Sequence, residues 1–426
     1  MNSTYSHRTI CRLAAVSAVL ASLGLCQAAV ARAAAEPDPV LATPPQPFRA
    51  PYVPKSDTEV LQQVPAESDP TVRAMKTMRA ALDSAPDSLP AADKLARAYI
   101  DFGREIGDAH YAGYAEAVLN PWLAQSKPPA AALIDDAVIL QFRHQFGQAR
   151  EQLKRALTED PQNAQAWLTL ATIDMVQGDY PNAAHDCTQV GARGGITLSV
   201  ACVGNLRSYL GQAEQSRVLL TQIAGTSSTA GTYNSWVQGL LAETCERLGD
   251  WPQAEDHYRQ ALAFTPKDNY LQVGYADFLL DRNRPEEVLT LLRDSSQSDT
   301  AFLRLALAKA MLRSADLPQY IWIMGARFEA LAQRGSDYFG REQVRFALYL
   351  QHDPQTALDL AQRNWQVQRA PWDIRVLLES ALAAKNPQAA RDVIAFVHET
   401  KLQDPAIAAL VQQLGALSEY NSGAPR

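Results

Sequence analysis

Residues 163–187 read NAQAWLTLATIDMVQGDYPNAAHDC, and this stretch decides the fold. Apolar residues recur at helical spacing up to Gly178, and a second helical pattern opens near Ala183. Glycine ends a helix readily because it adopts the left-handed conformation without a Cβ clash, and a helix accepts proline, here Pro181, in its first turn. The stretch therefore predicts two helices joined by a tight turn.

The same arrangement recurs along the chain at a nearly constant interval. The small or short residues in the place of Ala183 are spaced by 41, 34, 34, 33, 38 and 34 residues: Ala74, Ala115, Ala149, Ala183, Ser216, Ala254 and Val288. A period of 34 residues is that of a helix–turn–helix repeat. It predicts a solenoid, in which each helix pair buries its apolar face against the next pair.

The pattern resembles the tetratricopeptide repeat. Its clearest match begins at Ala164, with these residues in register: Trp167, Leu170, Ala171, Gly178, Tyr180, Ala183 and Val190. The resemblance implies an all-α fold, a right-handed α-solenoid of stacked antiparallel helix pairs. The array is predicted over residues 70–418, with a disordered tail at 419–426. The clearest repeats are 130–163, 164–196, 235–268 and 269–300.

The repeats outside these four are less regular. Between Leu95 and Trp122 the turn GREIGDAHYAG has seven extra residues relative to the clearest repeat. Downstream, residues 301–334, 338–370 and 371–403 are interpreted as degenerate helix pairs. A last apolar helix, from about Pro405 to Leu417, is expected to cap the stack.

The first 35 residues have the three parts of a secretory signal peptide. Arg8 and Arg12 precede the apolar run LAAVSAVLASLGL, and small residues follow before Glu36. Eight prolines within residues 36–69 then predict an extended linker over that range, because proline disrupts helix interiors. The expected location is the periplasm.

A lipid anchor is disfavoured, because Leu25 precedes Cys26 where a lipidation site needs a small residue. Removal of the signal peptide leaves 36 basic and 46 acidic residues, a net charge of −10. This balance argues against a surface for nucleic acid or anionic lipid. No later apolar run is long enough to span a bilayer.

Three cysteines follow the signal peptide: Cys187, Cys202 and Cys245. Cys187 is placed on the second helix of one repeat and Cys202 on the first helix of the next, which packs directly against it. The glycine-rich segment GARGGITL between them is interpreted as a turn. A Cys187–Cys202 disulfide and two ordinary buried cysteines are both consistent with this placement. Cys245 is expected in the core.

The sequence offers no catalytic constellation and no metal or cofactor site. The six remaining histidines are never three or four residues apart, and Cys-x-x-Cys, HExxH and Gly-x-Ser-x-Gly are missing from the sequence. The glycines around Gly194 lack the lysine and serine or threonine of a phosphate-binding loop. The protein is therefore not expected to be an enzyme.

The resemblance also implies a binding surface. In tetratricopeptide repeats, set positions of each first helix face a concave groove that binds peptides. Carried over, these positions give Asn205, Tyr209, Trp236, Glu243, Arg247, Tyr270 and Asp277. Recognition of an acidic chain end is doubtful, because Leu240 stands where the carboxylate-clamp pattern has its second asparagine. Solvation of a curved surface is the alternative role for these polar side chains.

Three functional hypotheses follow. The preferred one is a non-catalytic scaffold of the cell envelope that binds a protein or peptide partner of unknown identity. The second is a structural component of an envelope or polysaccharide-export machine. The third is an enzyme with its site in the insertion at residues 103–114, which includes His110 and Tyr111, or in the irregular segment 310–340, which includes Trp322, Met324 and Tyr338.

Overall fold

The computed structural model describes residues 69–224, 231–333 and 340–422. The predicted signal peptide, the predicted linker up to residue 68 and residues 423–426 lie outside this part of the chain. The described residues form twenty α-helices and no strand, which confirms the predicted all-α solenoid.

The helices come in consecutive pairs. The first ten are α1 (Pro70–Ser84), α2 (Leu89–Ile106), α3 (His110–Leu123), α4 (Ala130–Phe142), α5 (Phe146–Glu159), α6 (Ala164–Gln177), α7 (Tyr180–Gly194), α8 (Ile196–Tyr209), α9 (Ala213–Ile223) and α10 (Gly231–Leu248). The second ten are α11 (Trp251–Phe264), α12 (Asn269–Asp281), α13 (Pro285–Leu291), α14 (Asp299–Met311), α15 (Leu317–Gln333), α16 (Gly340–Arg345), α17 (Pro354–Trp365), α18 (Pro371–Ala383), α19 (Arg391–Thr400) and α20 (Pro405–Ser422). A π-helical turn, Phe346–Leu350, follows α16, and a 3₁₀ turn, Pro387–Ala390, precedes α19.

The small residues of the repeat lie where the two helices of a pair cross. Ala171 of α6 and Ala183 of α7 are both fully buried in one core cluster. Only a small side chain lets two helix backbones approach closely. The wider gaps between pairs are filled by larger buried residues, such as Leu153 and Tyr258. The uneven bulk of the sequence is therefore a packing pattern.

The turns of two of the four clearest pairs, α6–α7 and α10–α11, combine a glycine with a capping aspartate. Gly178 ends α6 in the left-handed conformation (φ +76°), and the side chain of Asp179 accepts a hydrogen bond from the backbone N–H of Asn182. Asp250 caps α11 in the same way, through the N–H of Gln253. These caps satisfy backbone donors that a helix start otherwise leaves unpaired.

Two predicted turns are largely helical instead. The insertion GREIGDAHYAG leaves only residues 107–109 outside helix, because α2 is extended to Ile106 and α3 begins at His110. The Tyr111 ring of α3 packs edge-on against Phe102 of α2, with the ring centroids 4.9 Å apart. This contact packs the C-terminal part of α2 against α3. The segment 191–195 is also not a loop, since α7 continues to Gly194 and only Gly195, with φ +90°, breaks it.

The C-terminal part also differs from the prediction in detail. The segment 310–340 is mostly helix α15, and α20 continues to Ser422 rather than ending at Leu417.

Helices near the C-terminus pack against turns of the first half of the array. The backbone N–H of Arg369 donates to the carbonyl of Val176 at 2.7 Å, and the rings of Phe396 and Tyr180 lie 5.9 Å apart. One repeat further on, Gln403 Oε1 accepts from the N–H of Ala213 at 3.2 Å. The superhelix therefore winds tightly enough for successive coils to touch.

Candidate binding groove

The seven side chains implied by the resemblance lie on three neighbouring first helices. Asn205 and Tyr209 are on α8, Trp236, Glu243 and Arg247 on α10, and Tyr270 and Asp277 on α12. Four of them are in contact from helix to helix. The Arg247 guanidinium lies 4.7 Å from the Tyr209 ring centroid, and the Tyr270 hydroxyl donates to Glu243 Oε1 at 2.5 Å. Half-buried Asn205 and Trp236 flank this chain of contacts.

Arg247 is not available to a ligand. Its side chain is 7% exposed, stacked on Tyr209 and paired with Glu243 through Nη2 at 3.3 Å. Among the described residues its Nε and Nη1 have no hydrogen-bond partner, and both atoms are fully covered. Burial raises the pKa of Tyr209 to about 12, so this phenol stays neutral. The Tyr209–Arg247 pair therefore forms a rigid floor.

Tyr270 is the most accessible of the seven, with 66% of its surface exposed. The Glu243 carboxylate, together with burial of the hydroxyl end, holds the pKa of Tyr270 well above its usual value. The hydrogen bond to Glu243 fixes the ring, so its face is presented without the entropy cost of ordering it. An oriented aromatic face of this kind suits an incoming peptide.

Asp277 is removed from the accessible surface. It is 4% exposed and accepts hydrogen bonds from Arg304 Nη2 and from Arg345 Nη1, both at 2.7 Å. Burial alone would raise the pKa of Asp277, but the charges of the two arginines outweigh it and lower the pKa to about 2. Arg304 also binds Glu342. We call Asp277, Arg304, Glu342 and Arg345 the closing cluster, because these ion pairs bury Asp277 between α12, α14 and α16.

Sequence reasoning missed the closing cluster. Its one local signal is Arg304, a charge in the middle of the apolar helix DTAFLRLALAKAM. A buried charge requires partners, so this residue could have indicated a buried ion pair. The open groove is therefore the stretch formed by Asn205, Tyr209, Trp236, Glu243 and Tyr270.

A disulfide lies directly beside the open groove. Cys187 of α7 and Cys202 of α8 are bonded, with their Cα atoms 5.5 Å apart. It links the pair α6–α7 to the pair α8–α9, where α7 and α8 join through Gly195. Cys245 is a free cysteine, and it is fully buried.

The residues considered for an enzyme site do not come together at one place in the structure. His110 pairs with Asp108 at 2.7 Å on the surface, and Tyr111 lies in an aromatic cluster with Tyr99 and Tyr114. Met324 is buried and Trp322 is half-exposed on α15, whereas Tyr338 lies outside the described residues. In the described ranges, no three His, Cys, Asp or Glu side chains are grouped to hold a metal ion, and no helix is both long and apolar enough to cross a membrane.

Comparison with known proteins supports the repeat assignment. Residues 143–185 match the model of the tetratricopeptide repeat family, and they include the α6–α7 turn. No curated protein matches the chain. Residues 143–185 therefore resemble a tetratricopeptide repeat in sequence, and the described helices on either side continue the same helix-pair architecture.

Solved structures resemble the chain distantly. A tetratricopeptide repeat protein from Parabacteroides merdae ATCC 43184 is 12% identical over 68% of this chain and 97% of that chain (TM-score 0.34). A Rap protein complexed with competence and sporulation factor is 10% identical over 83% and 94% (0.42). The APC/C hetero-tetramer Cut9-Hcn1 is 14% identical over 81% of this chain (0.40), which spans only 52% of that chain. These likenesses are too distant to imply a ligand.

Proposed function

We propose that the chain is an exported, non-catalytic scaffold of the cell envelope that holds an extended segment of a partner protein in the open groove. The observation that carries the proposal is Tyr270, two-thirds exposed yet fixed by Glu243 of the neighbouring helix pair. Fixed aromatic side chains between polar neighbours are typical anchors of protein–protein interfaces. Because the closing cluster lies on the other side of Tyr270, the partner's segment would bind along Tyr270, α10 and α8.

Two features support export. The signal-peptide pattern of residues 1–35 is one. The other is the Cys187–Cys202 disulfide, since such bonds persist mainly in oxidising compartments such as the periplasm.

Crosslinking in intact cells tests the groove. A photoreactive amino acid is placed at position 209, 236 or 270, and a matched control is placed at Val218, which is half-exposed on the second helix α9. The expected result is one partner crosslinked from the three groove positions and not from 218. Equal yields from all four positions would contradict the proposal.

Substitution of single tyrosines gives a second test. Tyr270→Ala is expected to reduce capture of that partner at least about tenfold, as removal of a hot-spot residue does. Tyr114→Ala removes another half-exposed tyrosine, on α3, and should leave capture unchanged. Unchanged capture by Tyr270→Ala would assign the partner to another surface.

A further inference from the structure

Three tyrosine rings contact one another on the surface of α2 and α3. The ring centroids of Tyr99, Tyr111 and Tyr114 lie between 5.6 and 6.1 Å apart, so each ring is next to the other two. Tyr114 is 52% exposed, and Tyr99 and Tyr111 are half-buried. We call these three residues the tyrosine face. It lies near the start of the array, whereas the open groove is formed by α8, α10 and α12.

Packing within the repeat does not explain Tyr114. It directly precedes Ala115, the buried small residue of α3. The residues that directly precede the small residue in the next four second helices are all polar and exposed: Gln148, Asn182, Gln215 and Gln253. This position therefore faces outward, where there is no core for a ring to fill. A group of exposed aromatic rings is typical of a binding surface.

The tyrosine face has the chemical groups that bind a polyproline II helix. Proline-rich segments pack against aromatic rings, and their backbone carbonyls have no internal hydrogen bonds, so a tyrosine hydroxyl can donate to them. No residue in the described ranges occupies the three hydroxyl groups with a hydrogen bond. Burial and the Asp108 carboxylate raise the pKa of Tyr111, so its hydroxyl keeps its proton and remains a donor.

The described part of the chain begins close to this face. The helices α1 and α2 form an antiparallel hairpin, so the start of α1 lies at the same end of the pair as the α2–α3 turn. Asp69, the first described residue, caps α1 and pairs with Lys267 at 3.6 Å. The pKa values of Tyr111 and Glu105 are raised mainly by burial, and the Asp69 carboxylate adds to both, which is consistent with this position.

The segment that precedes Asp69 contains a matching sequence. Residues 44–54 read PPQPFRAPYVP, with two Pro-x-x-Pro spacings, Pro44 to Pro47 and Pro51 to Pro54. Because a polyproline II helix has three residues per turn, the two prolines of each spacing lie on one side of it. Asp69 follows Pro54 by 15 residues, which span at most about 50 Å. Such a tether reaches the face and holds the segment there at roughly millimolar effective concentration.

We propose that residues 44–54 of this chain dock on the tyrosine face as a polyproline II helix. The occupant is the chain's own segment rather than one from another protein, because the tether starts near the face and makes the contact intramolecular. Docking covers the exposed Tyr114 ring and folds the N-terminal segment back over α2 and α3. This contact is a second interaction surface, separate from partner binding in the open groove.

Trypsin measures the docking, because it cleaves after Arg49, inside the segment. Cleavage requires the segment to leave the face, so its rate follows the undocked fraction. In the purified protein, Tyr114→Ala should speed cleavage after Arg49 about tenfold. Phe264→Ala removes a ring of similar exposure on α11 and should leave the rate unchanged. Equal rates for the parent and Tyr114→Ala would overturn the proposal.

Photocrosslinking identifies the occupant. A benzophenone amino acid at position 114 should crosslink to residues 44–54 of the same chain, at a yield that does not change on dilution. Replacement of the four prolines by alanine should lower this yield about tenfold: Pro44, Pro47, Pro51 and Pro54. Replacement of residues 60–63 (VLQQ) by four alanines is the matched control and should not lower it.

Three crosslinking results would refute the proposal. An unchanged yield in the proline variant would mean that the nearby tether alone produces the crosslink. A crosslink between two chains that weakens on dilution would assign the face to a second copy. A crosslink to another protein in intact cells, with none inside the chain, would assign it to a partner. None of these results bears on the crosslinking at positions 209, 236 and 270, so they leave the proposed function untouched.

Discussion

Arg345 Nη1 lies 2.7 Å from Asp277 Oδ1, although 68 residues separate them in sequence. The contact joins α12 to the end of α16 and buries Asp277, which the resemblance had placed in the groove. Both side chains are about 95% buried. Such a pair contributes mainly through the penalty of breaking it, because a charge left alone in the interior is poorly solvated.

Asp277→Asn should therefore destabilise the fold strongly. Arg304 and Arg345 would lose their shared carboxylate, and we expect a loss of about 3–5 kcal/mol in the free energy of unfolding. Urea denaturation followed by circular dichroism measures this loss. The exposed Asp256→Asn serves as control and should remain within about 0.5 kcal/mol of the parent. Similar values for the two variants would refute the role given to the closing cluster.

The contribution of Asp277 should also depend on pH. Its pKa is about 2 in the folded chain, against about 3.9 for an unfolded aspartate. A depressed pKa means that the stabilisation is complete above about pH 4 and is lost as the pH falls toward 2. The difference in unfolding free energy between the parent and Asp277→Asn should shrink over that interval. A constant difference from pH 5 to pH 2 would speak against this ionisation.

Asp186 should show the opposite dependence. Its raised pKa of about 7 means that the folded chain binds a proton more tightly than the unfolded chain, so stability falls as the pH rises from about 4 to 7. Asp186→Asn mimics the protonated form and should be more stable than the parent at pH 8, on the order of 2 kcal/mol. Below pH 4 the two proteins should converge. Thermal unfolding at a series of pH values measures both effects.

Removal of the disulfide should weaken the junction between α7 and α8. The bond closes a loop of 15 residues, and replacement of Cys187 and Cys202 by alanine should cost about 3 kcal/mol. Urea unfolding with and without reductant measures this cost, and the double variant should be insensitive to reductant. Mass spectrometry of the non-reduced protein provides the direct check. Two free thiols in exported material would contradict the bond.

Ala183→Leu should overpack the crossing of α6 and α7. Ala183 is fully buried against Ala171, so an added isobutyl group forces the two backbones apart. The expected cost is about 1–3 kcal/mol, measured by chemical denaturation. Ala184→Leu, at the exposed neighbouring position of the same helix, is the matched control. Equal stability of the two variants would remove the packing explanation of the repeat.

The sequence predicts the helix pairs well because their determinants are local. Gly178, Asp179 and Pro181 specify one turn through backbone conformation and capping, and Ala183 follows at a fixed distance. The insertion at residues 103–113 is mostly helix rather than a turn, because its residues are compatible with helix and nothing nearby ends α2 before Gly107. Helix lengths therefore vary more than the repeat markers do.

The limits of the groove were not predictable in the same way. Whether Asp277 faces solvent or Arg345 depends on the small rotation between successive repeats, added up over several helix pairs. The sequence of one repeat does not determine this total rotation. The same holds for Asp174 and Asp186, which lie twelve residues apart in one repeat, while their partner Arg150 comes from the repeat before.

The contacts of Arg369 with Val176 and of Gln403 with Ala213 affect how the helix array should unfold. An open stack of helix pairs frays from its ends, since each pair touches only its neighbours. Here the C-terminal pairs contact helices in the middle of the array, so the C-terminal end is not free to unfold alone. Melting should consequently be a single cooperative event, and deletion of α18–α20 should loosen helices nearly two hundred residues upstream.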